Sequence, residues 1–115
     1  MGSRITIRNN TDSRSYDAVI GDRVVGTIVY EPQDGRMVIR HTVVDPEFRG
    51  QGIASALAQV ALDDLTASGK TLTNYCEFIA DYIDRHPGYA KLVDADKPGR
   101  THPRDAALRA ADSQS

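Results

Sequence analysis

Between Val44 and Ile53 the hydrophobic pattern of this chain changes period, and that change limits most of what it can fold into. Before it, apolar residues alternate, as on a half-buried strand; after it they recur every three or four residues, as on an amphipathic helix. The helix reading rests on Ile53, Leu57, Val60, Ala61 and Leu65, with Ala54 and Ala58 on the same side. Gly69 in "ASGK" is its expected left-handed stop. The junction reads "DPEFRGQGIASAL", Asp45 to Leu57, with a proline, an arginine and two glycines ahead of the helix.

Upstream, four strands are expected. "RITIRN" carries Ile5 and Ile7 on one face, and "YDAVI" carries Tyr16, Ala18 and Ile20. Gly21-Asp22 is a hairpin signal, "RVVGTIVYE" is rich in β-branched residues, and "PQDG" has the chemistry of a second tight turn. Strict alternation in "RMVIRHTVV" predicts Met37, Ile39, His41 and Val43 on one face, with Val38, Arg40, Thr42 and Val44 on the other. Four strands joined by short turns make an antiparallel meander.

Downstream of the helix, "KTLTNYC" reads as a fifth strand. Phe78, Ile79, Tyr82 and Ile83 form the stripe of a second helix, which Pro87 breaks after His86, and "GYAKLV" can add a last turn. From Asp94 the composition turns polar and proline-containing, so residues 1–93 are expected to form the domain and 94–115 a mobile tail.

Three phosphate-binding patterns compete for the junction. Gly69-Lys70-Thr71 imitates the end of a P-loop, but the required first glycine falls on Asp64 inside the helix. A dinucleotide turn is met at Gly50 and Gly52 but not at Ser55, although Glu77 could pose as its ribose-binding acid. Such a turn normally follows the first strand of its fold, whereas this one follows the fourth. The third pattern, Arg/Gln-x-x-Gly-x-Gly/Ala, is met by Arg49, Gly52 and Ala54. A flexible loop without ligand is the plain alternative to all three. The anion reading has a physical basis, because the first N–H groups of a helix lack internal partners and the helix dipole favours negative charge there.

On this third pattern the chain resembles the GNAT superfamily of acetyl-coenzyme-A-dependent N-acetyltransferases. It is most similar to a subgroup of short members with His-Thr on the fourth strand, Pro-x-x-Arg-Gly-x-Gly-x-Ala, Cys-x-Phe-x-x-x-Tyr and His-Pro-x-Tyr. Here these read His41-Thr42, "PEFRGQGIA", Cys76-Glu77-Phe78 with Tyr82, and His86 to Tyr89, which together cover most of residues 4–93. One departure is Asn74, where a proline is usual two residues before the cysteine. The resemblance implies an α+β fold with the fifth strand splayed from the fourth, followed by short C-terminal helices. It further implies acetyl-coenzyme A as co-substrate. The pantetheine arm would lie in the splay on the backbone of Val43 and Val44. Arg49, Gly50, Gln51, Gly52, Ile53, Ala54 and Ser55 would hold the pyrophosphate, and Tyr89 would complete the coenzyme-binding set.

Acetyl transfer to an amine requires a base, a donor to the oxyanion and a proton for the departing thiolate. Cys76 is a nucleophile candidate for a covalent relay, or a small buried hydrophobe. His41 is a candidate base, or a structural histidine buried beside Ile39 and Val43. Tyr82 or Tyr89 is the candidate proton donor, set against amphipathic core residues; Glu31 and Glu77 are weaker bases.

The bulk composition removes other classes. Fourteen basic and sixteen acidic residues give a net charge of −2, so no nucleic-acid or anionic-lipid partner is indicated. A single cysteine excludes an internal disulfide or a Cys-cluster metal site, and no metal is expected. No apolar run is long enough to span a bilayer, and "MGSRITIRNN" has no signal-peptide core, so the expected setting is cytoplasmic. The leading expectation is transfer of acetyl from acetyl-coenzyme A to a small amine or an exposed protein amine, by a monomer or weak dimer. A non-catalytic sensor of coenzyme A or acyl-coenzyme A is the alternative.

Overall fold

The computed structural model describes residues 5–99. Four antiparallel strands, β1 (Thr6–Asn10), β2 (Ser15–Ile20), β3 (Arg23–Gln33) and β4 (Arg36–Val44), form the meander. A 3-10 turn at Pro46–Phe48 leads to α1 (Ile53–Ser68), then β5 (Thr71–Asn74), α2 (Glu77–Arg85) and a second 3-10 segment at Pro87–Leu92. The five strands lie in sequence order, and β5 is parallel to β4, with α1 as the crossover. This is the α+β architecture expected. Among the described residues no helix is long and apolar enough to cross a membrane.

Gly69, with φ 70, ends α1, its N–H reaching back to Thr66 O. The helix turns Ile53, Leu57, Ala58, Ala61, Leu62 and Leu65 onto the sheet. Burying a leucine such as Leu57 or Leu62 contributes about 2 kcal/mol. Gly26 on β3 makes this close packing possible, since a Cβ there would stand 2.9 Å from Ile53 Cγ2 and 3.2 Å from Leu57 Cδ1. α2 lies on the same side and joins the same core through Ile79, Tyr82 and Ile83.

Two irregularities in the sheet decide which residues face this core. Between β2 and β3, Ala18 opposes Gly26 and Val19 opposes Val24, so Val25 is an extra residue and is buried. Between β3 and β4, Val29 opposes His41 and Tyr30 opposes Ile39, so Arg40 is extra. A bulge of this kind reverses the alternation beyond it. The expected single face of Met37, Ile39, His41 and Val43 is therefore corrected. Met37 and Ile39 are buried, whereas His41 and Val43 are exposed on the opposite face.

The chain after Val93 continues along β5. Asp94 donates its N–H to Leu72 O at 2.8 Å, Asn74 donates to Pro98 O at 2.9 Å, and Thr73 Oγ1 donates to Lys97 O at 2.5 Å. Gly99 (φ 80) approaches so closely that a Cβ would collide with the backbone of Asn74. Residues 94–99 thus hydrogen-bond where a mobile tail was expected to begin; residues 100–115 lie outside the described residues.

Candidate functional site

β4 and β5 part early. Their pairing ends at Ile39–Asn74, and one further bond, Tyr75 N–H to Ile39 O at 2.9 Å, follows it. Beyond this point β4 runs on to Val44 beside β3 alone. The register tells which backbone groups face the vacated side. Asp45 N–H donates to Val25 O at 2.8 Å, and Thr27–Val43 lies two residues along in the same register. Antiparallel pairs alternate between bonded and open, so Val43 directs its backbone to β3. Val44 and Thr42 direct theirs into the gap. Of the expected pair, Val44 thus turns its backbone to the gap and Val43 does not; Thr42 does.

At the open end of this gap lies a cleft of 220 Å³ formed by Val44, Phe48, Arg49, Gly50, Gly52, Ile53, Ala54, Ser55 and Phe78. Gly50 and Gly52 have φ of 80 and 78, a left-handed conformation that β-carbon sterics disfavour in other residues. Gly52 is the N-cap of α1 and brings no side-chain cap, and no acid occupies the first turn. The N–H groups of Ile53, Ala54 and Ser55 therefore lack intrahelical partners, at the positive end of a sixteen-residue helix. Gln51 is exposed and does not line the cleft.

Arg23, from the β2–β3 hairpin, braces this turn. Its guanidinium pairs with Asp45, lies 3.7 Å from Glu47 and sits over the Phe48 ring at 5.4 Å. Asp45 in turn accepts the Glu47 N–H at 3.0 Å. That backbone bond, with help from Arg23, holds the Asp45 carboxyl below its ordinary range against partial desolvation.

Cys76 is 6% exposed and stands at the N-cap of α2. Its Sγ lies 3.3 Å from Thr42 Oγ1, across the parting of the strands. Asn74 clasps the cysteine from behind. Its Oδ1 accepts the Cys76 N–H at 3.0 Å, and its Nδ2 donates to Cys76 O at 2.9 Å. The residue that departs from the proline pattern thus holds the Cys76 backbone by side-chain bonds instead.

The remaining candidates lie elsewhere. Tyr89 Oη donates to Asp63 Oδ1 at 2.6 Å, and that bond raises the Tyr89 phenol to about 12. Tyr82 stacks on His86 at 4.1 Å and on Tyr89 at 6.1 Å; burial first, then the Asp63 carboxylate, raises its phenol. Asp63 is ten residues along α1 from Ile53, or about 15 Å. Tyr89 thus meets α1 at its middle, and Tyr82 stands between Tyr89 and Phe78, whose ring, 6.3 Å from that of Tyr82, lines the cleft. His41 stands exposed on the other side of the sheet, next to Arg40, which bonds Glu31 at 2.6 Å and covers the Tyr75 ring at 5.0 Å.

Sequence reasoning assigned no role at the site to Thr42, Phe48, Asn74 or Arg23. Thr42 was within reach, as the partner of His41 in the His-Thr pair. Arg23 left no signal, because it is distant in sequence from the turn it braces.

Residues 15–92 match the family model for GCN5-related N-acetyl-transferase. Protein NATD1 of Mus musculus is 30% identical over 90 residues, covering 75% of this chain and 80% of that protein. The crystal structure of Ard1 from Thermoplasma volcanium superposes with a TM-score of 0.51 at 22% identity, over 72% of this chain and 57% of that one. That likeness is one of fold.

Proposed function

The chain belongs to the GCN5-related N-acetyltransferase family, and from that membership we propose that it transfers an acetyl group from acetyl-coenzyme A to an amine. The observation that carries the proposal is the continuity of two features. A gap lined by the backbone of Thr42 and Val44 opens onto a helix start with unpartnered N–H groups and left-handed glycines.

The N–H groups of Ile53, Ala54 and Ser55 would hold the pyrophosphate, with Arg49 adding a charge-assisted contact. Val44 and Thr42 would bond the pantetheine amides as a missing strand would. This brings the thioester end of the co-substrate toward Thr42 and Cys76. An amine approaching from the uncovered face meets His41, exposed just past the bulge, which we assign as the base that takes its proton. Thr42 Oγ1, already within reach of Cys76 Sγ, is a donor available to the departing thiolate. In this reading attack is direct, and Cys76 shapes the pocket without carrying the acetyl group.

The acceptor side is open. Only Thr11–Arg14 joins β1 to β2, and His41 and Val43 (53% exposed) face outward with no helix over them among the described residues. An exposed amine on a protein fits such a surface better than a small amine needing enclosure. Calorimetric titration with acetyl-coenzyme A, followed by thiol release over a panel of small amines and peptides, tests the reading. Binding with peptide-dependent thiol release is expected. Binding without release from any acceptor identifies the sensor alternative, and absence of binding overturns both.

A further inference from the structure

A second cleft, of 410 Å³, opens on the helix-covered side of the sheet near the C-terminal end of α1. Its floor is apolar, built from Met37, Leu65 and the edges of Tyr16 and Tyr30, whose rings are 5.4 Å apart. Its rim carries Arg14, Arg36 and Lys70. Asp64 is the one carboxylate among the described lining residues, and it already accepts from Tyr16 Oη at 2.8 Å. Three cations and one anion line the cleft, in a chain whose net charge is −2; Glu31 and Asp94, outside the lining, lie within electrostatic reach of Arg14 and Arg36.

Among the described residues, none of these cations enters a salt bridge; Arg36 donates one bond, to Thr73 Oγ1 at 2.9 Å. Arg14 holds φ 55, a conformation unfavourable for a residue with a Cβ. Two backbone bonds keep it there: Tyr30 N–H to Arg14 O at 3.0 Å and Arg14 N–H to Thr11 O at 3.3 Å. Such strain persists where the surrounding fold over-determines it, and it clusters at binding sites. Lys70 comes from the Gly69-Lys70-Thr71 run that imitates a P-loop. Gly69 ends α1 and leaves Lys70 at the rim.

We propose that this cleft binds a small organic anion, a phosphate or carboxylate attached to a flat apolar body. The apolar part would rest on Met37 and the tyrosine edges, and the charged group would face Arg14, Arg36 and Lys70. The site is separate from the glycine turn, because eleven residues of α1 carry the chain about 17 Å from Ile53 at the turn to Asp64 at the cleft.

Amide NMR of the whole chain, titrated with 2-naphthyl phosphate, 2-naphthoate, 2-naphthol and inorganic phosphate, tests this. The two aryl anions are expected to shift the signals of Arg14, Tyr30 and Lys70 and to spare Arg49 to Ser55. Naphthol and inorganic phosphate should bind at least about tenfold more weakly. Arg14→Gly removes a cation while relieving its backbone, so it should raise the thermal midpoint yet weaken the aryl anions by about tenfold. Lys70→Ala gives an independent second loss. The proposal is overturned by shifts confined to the glycine turn, by no shift at millimolar probe, by inorganic phosphate matching the aryl phosphate, or by unchanged affinity in Lys70→Ala.

Discussion

Thr42 Oγ1 and Cys76 Sγ meet at 3.3 Å across the gap where β4 and β5 part. One residue comes from each side of the parting, so the pair marks where an inserted thioester would end. With direct attack, Cys76→Ala is expected to keep thiol release within about threefold, since the thiol carries no acetyl group in the cycle. Intact mass after exposure to acetyl-coenzyme A should show no acetylated protein. Loss of turnover in the alanine variant together with an acetyl adduct on the native chain would establish the relay instead.

His41 tests the bulge. If the imidazole takes the amine proton, His41→Ala should lower kcat by about 100-fold, the lower end of what general bases contribute. Its side chain points away from the coenzyme cleft, so the dissociation constant for acetyl-coenzyme A should not change. Equal losses in binding and turnover would assign His41 to structure.

For the glycine turn, Gly52→Ala forces a β-carbon onto φ 78 at no steric cost from neighbours, since nothing lies within 4 Å. The expected destabilisation is about 1 kcal/mol, from backbone strain alone. Coenzyme affinity, measured by calorimetry, should fall by about tenfold or more because the helix start is displaced. An unchanged affinity would remove the turn from the binding site.

The brace at Arg23 makes a different prediction. Its ion pairs are exposed, so Arg23→Ala should cost less than about 1 kcal/mol in denaturant unfolding. Coenzyme affinity should nevertheless weaken several-fold, because Asp45 and Phe48 lose the group that positions them. Normal affinity in this variant would show that the turn needs no support from the hairpin.

Asp17 is expected to contribute to the acid stability of the sheet. Burial pushes its carboxyl up, but hydrogen bonds from Ser15, Thr27 and Asn10 outweigh this and hold it below its ordinary value. A carboxyl lowered on folding stabilises fully above its unfolded value of 3.8, and that contribution is lost as pH falls through the folded value. Asp17→Asn should therefore cost about 1–2 kcal/mol at neutral pH. It should also flatten the loss of stability below about pH 4, read from thermal midpoints across an acid series. An unaltered acid slope would assign that loss to other carboxyls.

The order of elements was legible because each is announced locally. Alternation marks β1 to β4, Gly21 and Gly35 the turns between the later strands, Ile53 to Leu65 the helix, and Gly69 its end. Gly50 and Gly52 could be read as a turn at a helix start, since left-handed backbone is a property of the residue itself. The site around Cys76 was legible only in part. Asn74 stood out as a departure from a pattern, but nothing local says that a carboxamide will clasp the backbone two residues on.

The sequence by itself therefore determined the meander, the crossover helix and the glycine turn, because periodicity and backbone preference act over a few neighbouring residues. Only the tertiary structure decided that Arg40 is extruded, which turned His41 to the open face and Thr42 toward Cys76. The register shifts between Val29 and Tyr30 to admit the extra residue, and no run of alternating residues records it. The same holds for Arg14, Arg36 and Lys70, which come from separate parts of the chain and become one rim only when α1 packs across the sheet.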